Sequence, residues 1–283
     1  MKSNSIKELV KEKYSSIASQ PREQNQSSCC GATSCCGTDV YNIMADDYST
    51  LEGYNPEADL GLGCGLPTEF ANIKDGDTVL DLGSGAGNDA FVARRLTGDT
   101  GRVIGVDFTE KMVLLARENA AKLSFANVEF REGDIEDLPV TSNSINVVVS
   151  NCVLNLVPNK HKVFSEIFRV LKPGSHFSIS DIVLEGELPA KWKEVAELYA
   201  GCVSGAIQKE DYLAIIKEAG FTNILEQKNK PIHIPVEVLR SYLTEEEIRE
   251  FQNSDTRITS VTIYAEKPSK DDRNCCEPGS GCC

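Results

Sequence analysis

The sequence is poor in positive charge, in histidine and in long apolar runs. Its 29 lysines and arginines face 43 aspartates and glutamates, and the formal charge of −14 argues against a general binder of nucleic acids or anionic membranes. No apolar run reaches the roughly 18 to 20 residues that cross a bilayer, and the opening MKSNSIKELVKEKYSS lacks the apolar core of a signal peptide. We therefore expect a cytoplasmic protein.

Cysteine, by contrast, is abundant. Eleven cysteines are many for a reducing compartment, and their odd number excludes a complete set of disulfides within the chain. Cys64, Cys152 and Cys202 stand alone. The other eight form adjacent pairs near the two ends of the chain: Cys29-Cys30, Cys35-Cys36, Cys275-Cys276 and Cys282-Cys283. This distribution favours thiols that react or bind a ligand over thiols that are held in disulfides.

Between the cysteine-rich ends, short apolar runs alternate with segments of helical spacing, which predicts an α/β fold. The predicted strands are Thr78 to Leu82, Arg102 to Asp107, Val128 to Glu132, Ile145 to Ser150 and Phe177 to Val183. The predicted helices are residues 4 to 19, Asn88 to Leu96, Glu110 to Leu123, Lys160 to Leu171 and Ala190 to Tyr199. Right-handed crossovers then lay the helices on both faces of a Rossmann-like parallel sheet, for which we assume the strand order 3-2-1-4-5.

The regular alternation of strand and helix patterns ends after residue 185. Beyond it we predict helices at 208 to 219 and 236 to 252 and strands at Thr222 to Gln227 and Ser260 to Ala265. These elements suggest an antiparallel sheet edge and a smaller C-terminal α+β substrate subdomain. The expected division is an N-terminal helix and cysteine-rich mobile segment (1–60), a Rossmann-like domain (61–185), the C-terminal subdomain (186–268) and a flexible tail (269–283).

A glycine loop follows the first predicted strand, in the run from Thr78 to Asn88. Its three glycines, Gly83, Gly85 and Gly87, let the backbone approach a ligand closely, and the amides of the next helix favour an anionic group. The dinucleotide pattern G-x-G-x-x-G is not met, because Asn88 replaces the third glycine. This departure disfavours NAD.

The next two predicted strands end in carboxylates. Asp107 lies about 20 residues beyond the glycine loop, where a carboxylate can bridge ribose hydroxyls. The alternative is a helix N-cap, for which Thr109 is the better candidate. Asp134 and Ile135, at the end of the third strand, suit an adenine. Asp134 would accept a hydrogen bond from the adenine amine, and Ile135 would pack against the ring. The alternative is a simple turn.

These elements as a set resemble the class I S-adenosylmethionine-dependent methyltransferases over residues 70 to 185. The resemblance rests on D-L-G-S-G-A-G, on Val-Asp-Phe-Thr followed by Met112 and Ala116, and on Gly-Asp-Ile. It implies that the glycine loop serves the methionine moiety of the cofactor and that the acidic strand end serves its ribose. The residues it implies for the cofactor are Asp81, Gly83, Ser84, Gly85, Gly87, Asp107, Phe108, Met112, Asp134, Ile135 and Asn151.

The three single cysteines are candidates for the acceptor site. Cys152 follows the fourth strand at the point where strand order reverses, so we expect its thiol at the reactive end of the cofactor, unless it is a small buried hydrophobe. Cys64 and Cys202 follow glycines and could fold over the same edge. Three thiolates would bind zinc, copper(I) or a trivalent metalloid, but structural zinc normally takes four ligands and the C-x-x-C knuckles are absent.

Trivalent arsenic on three thiolates keeps a lone pair, which is a nucleophile that needs no proton removed. This suits a chain whose histidines, His161, His176 and His233, lie in no obvious motif for a base. The sequence here resembles the arsenite S-adenosylmethionine methyltransferases over most of residues 5 to 230. The matching segments are Gly63-Cys64-Gly65-Leu66-Pro67, Leu80 to Gly87, Ser150 to Pro158 and Gly201-Cys202.

This resemblance implies that Cys152 and Cys202 hold arsenic, while Cys64 and an upstream cysteine take part in thiol and disulfide steps. By distance from Cys64 the upstream residue is Cys35 or Cys36, with the Cys29-Cys30 pair as a second candidate. Methyl transfer raises arsenic to the pentavalent state, so a trivalent product requires two electrons, which a dithiol can supply. Thioredoxin or glutathione would then reset the enzyme, which we expect to be a monomer.

Other interpretations stay open at this point. The tail CCEPGSGCC suits metalloid capture, structural zinc or no role in the chemistry. Tyr41 and Tyr48 precede the domain, on a segment that either closes over the cofactor or simply packs. The rival functions are a methyltransferase for a small organic acceptor and a non-catalytic, thiol-rich metalloid-binding protein.

Overall fold

A computed structural model describes residues 3–19, 46–187, 205–232, 236, 240, 243–254 and 256–269. Its helices are α1 (Ser3–Ser19), α2 (Pro67–Phe70), α3 (Asn88–Thr97), α4 (Glu110–Lys122), α5 (Lys160–Val170), α6 (Lys209–Glu218) and α7 (Glu245–Asn253), with a 3-10 turn at Leu154–Leu156. Its strands are β1 (Thr78–Leu82), β2 (Arg102–Asp107), β3 (Val128–Glu132), β4 (Ile145–Asn151), β5 (Leu171–Glu185), β6 (Thr222–Pro231) and β7 (Arg257–Glu266).

The strands of the described residues form one sheet in the order β3-β2-β1-β4-β5-β7-β6. Strands β1 to β5 pair in parallel, and β7 and β6 pair antiparallel at one side. The structure thus confirms the assumed 3-2-1-4-5 order and the predicted antiparallel edge. Strands β6 and β7 extend the same sheet, and the division of the chain at residue 186 stays a prediction.

Several boundaries differ from the prediction. Strands β6 and β7 run longer than predicted, to Pro231 and from Arg257 to Glu266, and larger differences lie in β5 and in the last helix. Strand β5 has 15 residues, because residues 176–180 pair with both β4 and β7 and the pairing with β7 continues to Glu185. The helix predicted over 236 to 252 is not continuous: Val236 is helical, but residues 240, 243 and 244 are not, and α7 begins at Glu245. A capping box fixes this start: Thr244 Oγ1 accepts from the Glu247 amide at 3.3 Å, and the Glu247 carboxylate accepts from the Thr244 amide at 2.7 Å. The helix predicted over 190 to 199 lies outside the described residues.

The core has two layers, one on each face of the sheet, because alternate strand residues point to opposite faces. On β1, Leu80 and Leu82 join the layer that α5 and α6 cover, whereas Val79 joins the layer beneath α3 and α4. Strand β4 divides in the same way, with Val148 in the first layer and Val149 in the second. Burial on both faces explains why the parallel strands are nearly continuous apolar runs.

None of the helices in the described part of the chain combines the length and the apolar character needed to cross a membrane.

A buried lysine ties the end of β7 to the junction of α5 and β5. The Nζ atom of Lys267 donates to the carbonyls of Phe168 and Leu171 at 2.6 Å and to Asn143 Oδ1 at 2.8 Å. The lysine is 6% exposed. Without it, both carbonyls would lose a donor in a place that water reaches poorly.

We predict that Lys267→Met lowers the free energy of unfolding by roughly 2 to 3 kcal/mol, because it leaves buried acceptors unsatisfied. Urea denaturation measures the change. Lys122→Met is the control: Lys122 pairs with Glu57 at 2.7 Å, but both side chains are more than 60% exposed, so water can replace the partner and no comparable loss is expected. Equal losses in the two variants would contradict the prediction.

Candidate functional site

A cleft opens at the carboxyl ends of β1, β2 and β4, where ligands bind in open α/β sheets. It holds about 1060 Å³ of empty space, including the solvent at its open side. The sequence-predicted residues that line it are Asp81, Gly83, Ser84, Gly85, Asp107, Phe108, Asp134, Ile135, Asn151 and Cys152. Gly87 and Met112 are not in the lining: Gly87 is the N-cap of α3, and Met112 is fully buried against Ile17 of α1.

The glycine loop shapes the floor of this cleft. Gly83, Gly85 and Gly87 have φ angles of 66°, 49° and 100°, in the left-handed region that favours glycine. A Cβ on Gly83 would collide with the side chain of Val153, whereas a Cβ on Gly85 would meet no protein atom within 4 Å. Backbone is therefore exposed to the cleft at Gly85, in a place that a ligand can fill.

Asp107 holds this loop from the end of β2. Its Oδ2 accepts from the Gly85 amide at 3.0 Å, and its Oδ1 accepts from the Thr109 amide at 2.8 Å. Burial raises the pKa of Asp107, while these two amides oppose the rise. Each carboxylate oxygen keeps a further lone pair, so the same group can also accept from the hydroxyls of a ribose.

Three buried polar atoms of the lining have no hydrogen-bond partner among the described residues: Asp81 Oδ2, Ser84 Oγ and Asn88 Oδ1. Burial raises the pKa of Asp81 well above its usual value, and the negative charges of Asp89 and Asp107 add to the rise. An unsatisfied buried acceptor costs about 1 to 3 kcal/mol. The set therefore fits a ligand that brings positive charge and donors, as S-adenosylmethionine does with its sulfonium and ammonium groups.

Helix α1 covers the side of the cleft nearest β3. Lys7 Nζ donates to Asp134 Oδ2 at 2.7 Å and also pairs with Glu136, and Tyr14 joins the lining. Burial opposes ionisation of Asp134, but the hydrogen bonds from Lys7 and from the Glu136 amide hold the pKa of Asp134 below its usual value. Asp134 thus carries an ion pair at the position assigned to the adenine amine.

A buried hydrogen-bond network joins the cleft to the segment around Cys64. Tyr48 Oη donates toward both carboxylate oxygens of Asp89 at 2.9 Å. Asn151 Nδ2 lies 3.3 Å from Asp89 Oδ2 and also contacts Tyr48 Oη. Burial raises the pKa of Asp89 to about 6, although the hydrogen bonds from Tyr48 and Asn151 lower it. Of the two tyrosines noted in the sequence, Tyr48 therefore reaches the cleft, and Tyr41 lies outside the described residues.

The segment around Cys64 lies across the end of β4. Asn151 Oδ1 accepts from the Cys64 amide at 2.9 Å, and Ser260 Oγ donates to the Cys64 carbonyl at 2.6 Å. The side chain of Cys64 is completely buried. The topology thus places Cys64 beside the first turn after β4, although the two segments are 86 residues or more apart in sequence.

Cys152 occupies that first turn. It is 4% exposed, lines the cleft, and has a φ angle of 60°, which residues other than glycine rarely adopt. Its amide donates to the Ser180 carbonyl at 2.8 Å, which fixes this conformation against β5. Left-handed residues of this kind cluster at functional sites, because the surroundings must hold them there.

The hydrogen bond between the Cys152 amide and the Ser180 carbonyl also sets which part of β5 faces the thiol site. The next residue of β5, Asp181, belongs to a buried polar cluster with Tyr212 of α6 and Lys160 of α5. Tyr212 Oη donates to Asp181 Oδ2 at 3.4 Å, and Lys160 Nζ donates to the Gly205 carbonyl at 3.0 Å. The cluster thus anchors residue 205, three positions after Cys202.

The same cluster lies within electrostatic range of both described cysteines. Burial raises the pKa of Tyr212 well above its usual value, Asp181 adds to the rise, and the charges of Cys64 and Cys152 contribute further. Burial also raises the pKa of Asp181 to about 7, although the positive charge of Lys160 opposes this rise. Cys64 and Cys152 therefore both lie within electrostatic range of the buried Tyr212.

The remaining sequence-predicted thiols lie outside the described residues. These are Cys202, Cys35 and Cys36, together with the Cys29-Cys30 pair and the cysteines of the C-terminal tail.

Sequence reasoning missed part of the lining, notably Lys7, Tyr14, Asn88 and Asp89. Asp89 had a usable signal, because an acidic residue in the first turn of a helix after a glycine loop is favoured by the helix dipole. No signal in the sequence pointed to Lys7, since Lys7 and Asp134 are 127 residues apart and no local pattern encodes their contact.

Comparisons with known proteins agree with this geometry. A family model described as a methyltransferase domain matches residues 73–220. An arsenite methyltransferase of Halobacterium salinarum is 40% identical over 281 residues, which cover 94% of this chain and 68% of that protein. One of Aquipseudomonas alcaligenes is 35% identical over 235 residues, which cover 80% of this chain and 65% of that protein. The chain thus spans about two thirds of the length of these relatives.

A solved structure of an arsenic methyltransferase is also similar to this chain. The crystal structure of CrArsM, an arsenic(III) S-adenosylmethionine methyltransferase from Chlamydomonas reinhardtii, matches with a TM-score of 0.62 and 34% sequence identity. The match covers 73% of this chain and 68% of that one.

The buried carboxyl of Asp181 generates a prediction about stability and pH. Because its pKa is about 7 in the folded chain against a usual 3.8, the folded state keeps a proton that the unfolded state releases. Raising the pH from about 4 to 7 therefore favours unfolding through this group. We predict that Asp181→Asn gains stability relative to the native chain across this window, by at most about 1.4 kcal/mol per pH unit.

Urea denaturation at several pH values between 5 and 8 measures this difference, which should level off above about pH 7 because both states are then ionised. Asp99→Asn is the control, since the Asp99 side chain is 90% exposed and should give no comparable trend. A difference between Asp181→Asn and the native chain that does not change with pH would contradict the prediction.

Proposed function

The chain belongs to the arsenite methyltransferase family, and we propose that it transfers methyl groups from S-adenosylmethionine to trivalent arsenic held by its own cysteines. The observation that carries this proposal is the position of Cys152, a buried cysteine in the wall of a cleft whose other polar groups suit a cationic cofactor. The enzyme is an S-adenosylmethionine-dependent methyltransferase.

The residues that would hold the cofactor are those that line the cleft around the glycine loop. When bound, S-adenosylmethionine supplies a methyl group on a positively charged sulfur. We assign the unpartnered atoms of Asp81, Ser84 and Asn88 to its methionine moiety, and Asp107 to its ribose. Asp134 and Ile135 would contact the adenine, with Lys7 sharing the carboxylate.

Cysteine thiols are suited to the acceptor because trivalent arsenic is a soft centre. Each thiol displaces one hydroxyl of arsenous acid: a sulfur–arsenic bond forms, and the thiol proton leaves with the hydroxyl as water. We propose Cys152 and Cys202 as ligands, with Cys64 as the third thiol. The lone pair of arsenic then forms the bond to the methyl carbon, while the electron pair of the carbon–sulfur bond stays on the cofactor sulfur. No side chain is needed as a base for this transfer.

The reaction also needs a source of two electrons. Methyl transfer leaves arsenic formally pentavalent, and two thiols that close to a disulfide return it to the trivalent state. We propose Cys64 and either Cys35 or Cys36 for this step, with thioredoxin or glutathione as the reductant. Such reductants keep thiols reduced in the cytoplasm, where we propose that the enzyme works as a monomer.

The proposed division of the chain follows from these roles. Residues 1–60 would bring the upstream thiols to Cys64, residues 61–185 would bind the cofactor, and residues 186–268 would carry Cys202. The tail, residues 269–283, would not be needed for the chemistry.

The first prediction concerns the acceptor thiols. Cys152→Ser and Cys202→Ser should abolish methylation of inorganic arsenite, because a hydroxyl binds arsenic much more weakly than a thiolate, while binding of S-adenosylmethionine survives. Reduced protein is incubated with arsenite, S-adenosylmethionine and thioredoxin or glutathione, and the arsenic species are separated by chromatography coupled to mass spectrometry. Calorimetry measures cofactor binding.

Cys282→Ser in the tail is the matched control and should keep its methylation activity. Undiminished turnover in Cys152→Ser or Cys202→Ser would refute the role of that residue. Arsenic that is bound but never methylated by the native chain would favour a metalloid-binding protein without catalysis, and no arsenic binding would favour an organic acceptor.

The second prediction concerns Asp107. Asp107→Ala removes a carboxylate that positions Gly85 and that we assign to the ribose, so the affinity for S-adenosylmethionine should fall at least about tenfold, as expected for a lost buried hydrogen-bond acceptor. Calorimetric titration of the cofactor measures the change. Thr244→Ala, which removes a helix cap far from β2 in sequence, is the control. An unchanged affinity in Asp107→Ala would refute the assignment.

A further inference from the structure

The side-chain amide of Asn151, the last residue of β4, forms hydrogen bonds with the Cys64 segment. Its Oδ1 accepts from the Cys64 amide at 2.9 Å and from the Gly65 amide at 3.2 Å. Its Nδ2 donates to the Gly65 carbonyl at 2.8 Å. One side chain thus makes three hydrogen bonds to the backbone of two consecutive residues, one of which is Cys64.

The two glycines beside Cys64 make this approach possible. A Cβ on Gly63 would lie 2.5 Å from Asn151 Nδ2, and a Cβ on Gly65 would lie 2.5 Å from Ser180 Oγ. Both distances are too short for non-bonded atoms. The Gly-Cys-Gly sequence therefore lets the backbone lie directly on the end of β4 at Asn151 and on the interior of β5 at Ser180.

The rest of the amide is used inside the protein. Besides the Gly65 carbonyl, the Nδ2 group of Asn151 faces Asp89 Oδ2 at 3.3 Å and Tyr48 Oη. An amide nitrogen has two hydrogens, so these three acceptors already engage both. Asn151 lines the cleft, but its hydrogen-bonding groups are committed to the Cys64 segment and to the Asp89–Tyr48 pair.

We propose that Asn151 is a positioning residue that holds Cys64 beside Cys152. This inference rests on the proposed function for its use in arsenic binding, and the hydrogen bonds support it independently. Cys152 follows Asn151 directly, so one residue determines both the place of the Cys64 backbone and the end of the strand that presents Cys152. Loss of the amide would remove all three of these hydrogen bonds, while the hydrogen bond from the Ser260 hydroxyl to the Cys64 carbonyl would stay.

The first test measures the position of Cys64 without any arsenic chemistry. The full-length reduced protein is alkylated with iodoacetamide, and the labelling rate of each cysteine is followed by mass spectrometry. In Asn151→Ala, Cys64 should be labelled at least about tenfold faster than in the native chain, because local opening now breaks fewer hydrogen bonds. Unchanged protection of Cys64 would overturn the proposal.

Asn127→Ala is the matched control for the loss of a partly buried amide. Asn127 Nδ2 also donates to two backbone carbonyls, those of Gly98 and Gly101, but it directly precedes β3, the strand at the far edge of the sheet. This variant should leave the labelling of Cys64 unchanged. Gly65→Ala offers an independent route to the same result, since it disturbs the Cys64 segment and leaves Asn151 in place, and it should also speed the labelling of Cys64.

The second test measures whether this position serves arsenic binding. Inorganic arsenite has three oxygens that thiols can replace, whereas phenylarsine oxide offers only two bonds to thiols. Asn151→Ala should weaken the binding of arsenite at least about tenfold, and that of phenylarsine oxide by less than about twofold, because two other thiols can hold the latter. The ultraviolet sulfur-to-arsenic absorption follows both titrations.

A double-mutant cycle with Cys64→Ser separates positioning from other effects. If Asn151 acts through Cys64, Asn151→Ala should cost less than about twofold in arsenite affinity once Cys64 is absent. Additive losses, or equal weakening of both arsenicals, would overturn the proposal. Faster labelling of Cys64 in a protein that never methylates arsenite would support the positioning role and refute the proposed function, so the two failures are distinguishable.

Discussion

The parallel alignment of β1, β2 and β4 is the constraint on which the rest of the structure depends. Because these strands run in the same direction, their carboxyl ends meet at one edge, and the residues that follow them meet there too. The glycine loop, Asp107 and Cys152 are far apart in sequence, yet each comes directly after or at the end of a strand. The strand order therefore assembles the cleft before any side-chain contact is considered.

Burial of several carboxylates at this edge is the main cost of the arrangement. The pKa values of Asp81, Asp89 and Asp107 are all raised, with burial as the largest cause. Backbone amides and the Tyr48 and Asn151 side chains offset part of this cost. The cost that is not offset favours binding of a cation in the cleft. This preference suits a sulfonium cofactor better than the pyrophosphate of a dinucleotide.

Local patterns predicted the sheet and the glycine loop, because short apolar runs and closely spaced glycines are encoded within a few neighbouring residues. The length of β5 and the start of α7 were less accessible, since they depend on a second strand partner and on a capping box. The ion pair of Lys7 with Asp134 and the hydrogen bond of Asn151 to the Cys64 amide each join segments that are about 90 to 130 residues apart in sequence. Such pairs leave no periodic signal in one sequence.

The charges at the cleft also suggest how the enzyme exchanges its cofactor. Before methyl transfer the cofactor sulfur is positive, and after transfer it is neutral, so the carboxylates of the lining attract the substrate form more strongly. Such a lining would therefore favour binding of the methylated cofactor over binding of the demethylated one. Asp89 lines the cleft and contacts Asn151, so a carboxylate of the cofactor cleft is linked to the residue that forms hydrogen bonds with the Cys64 segment.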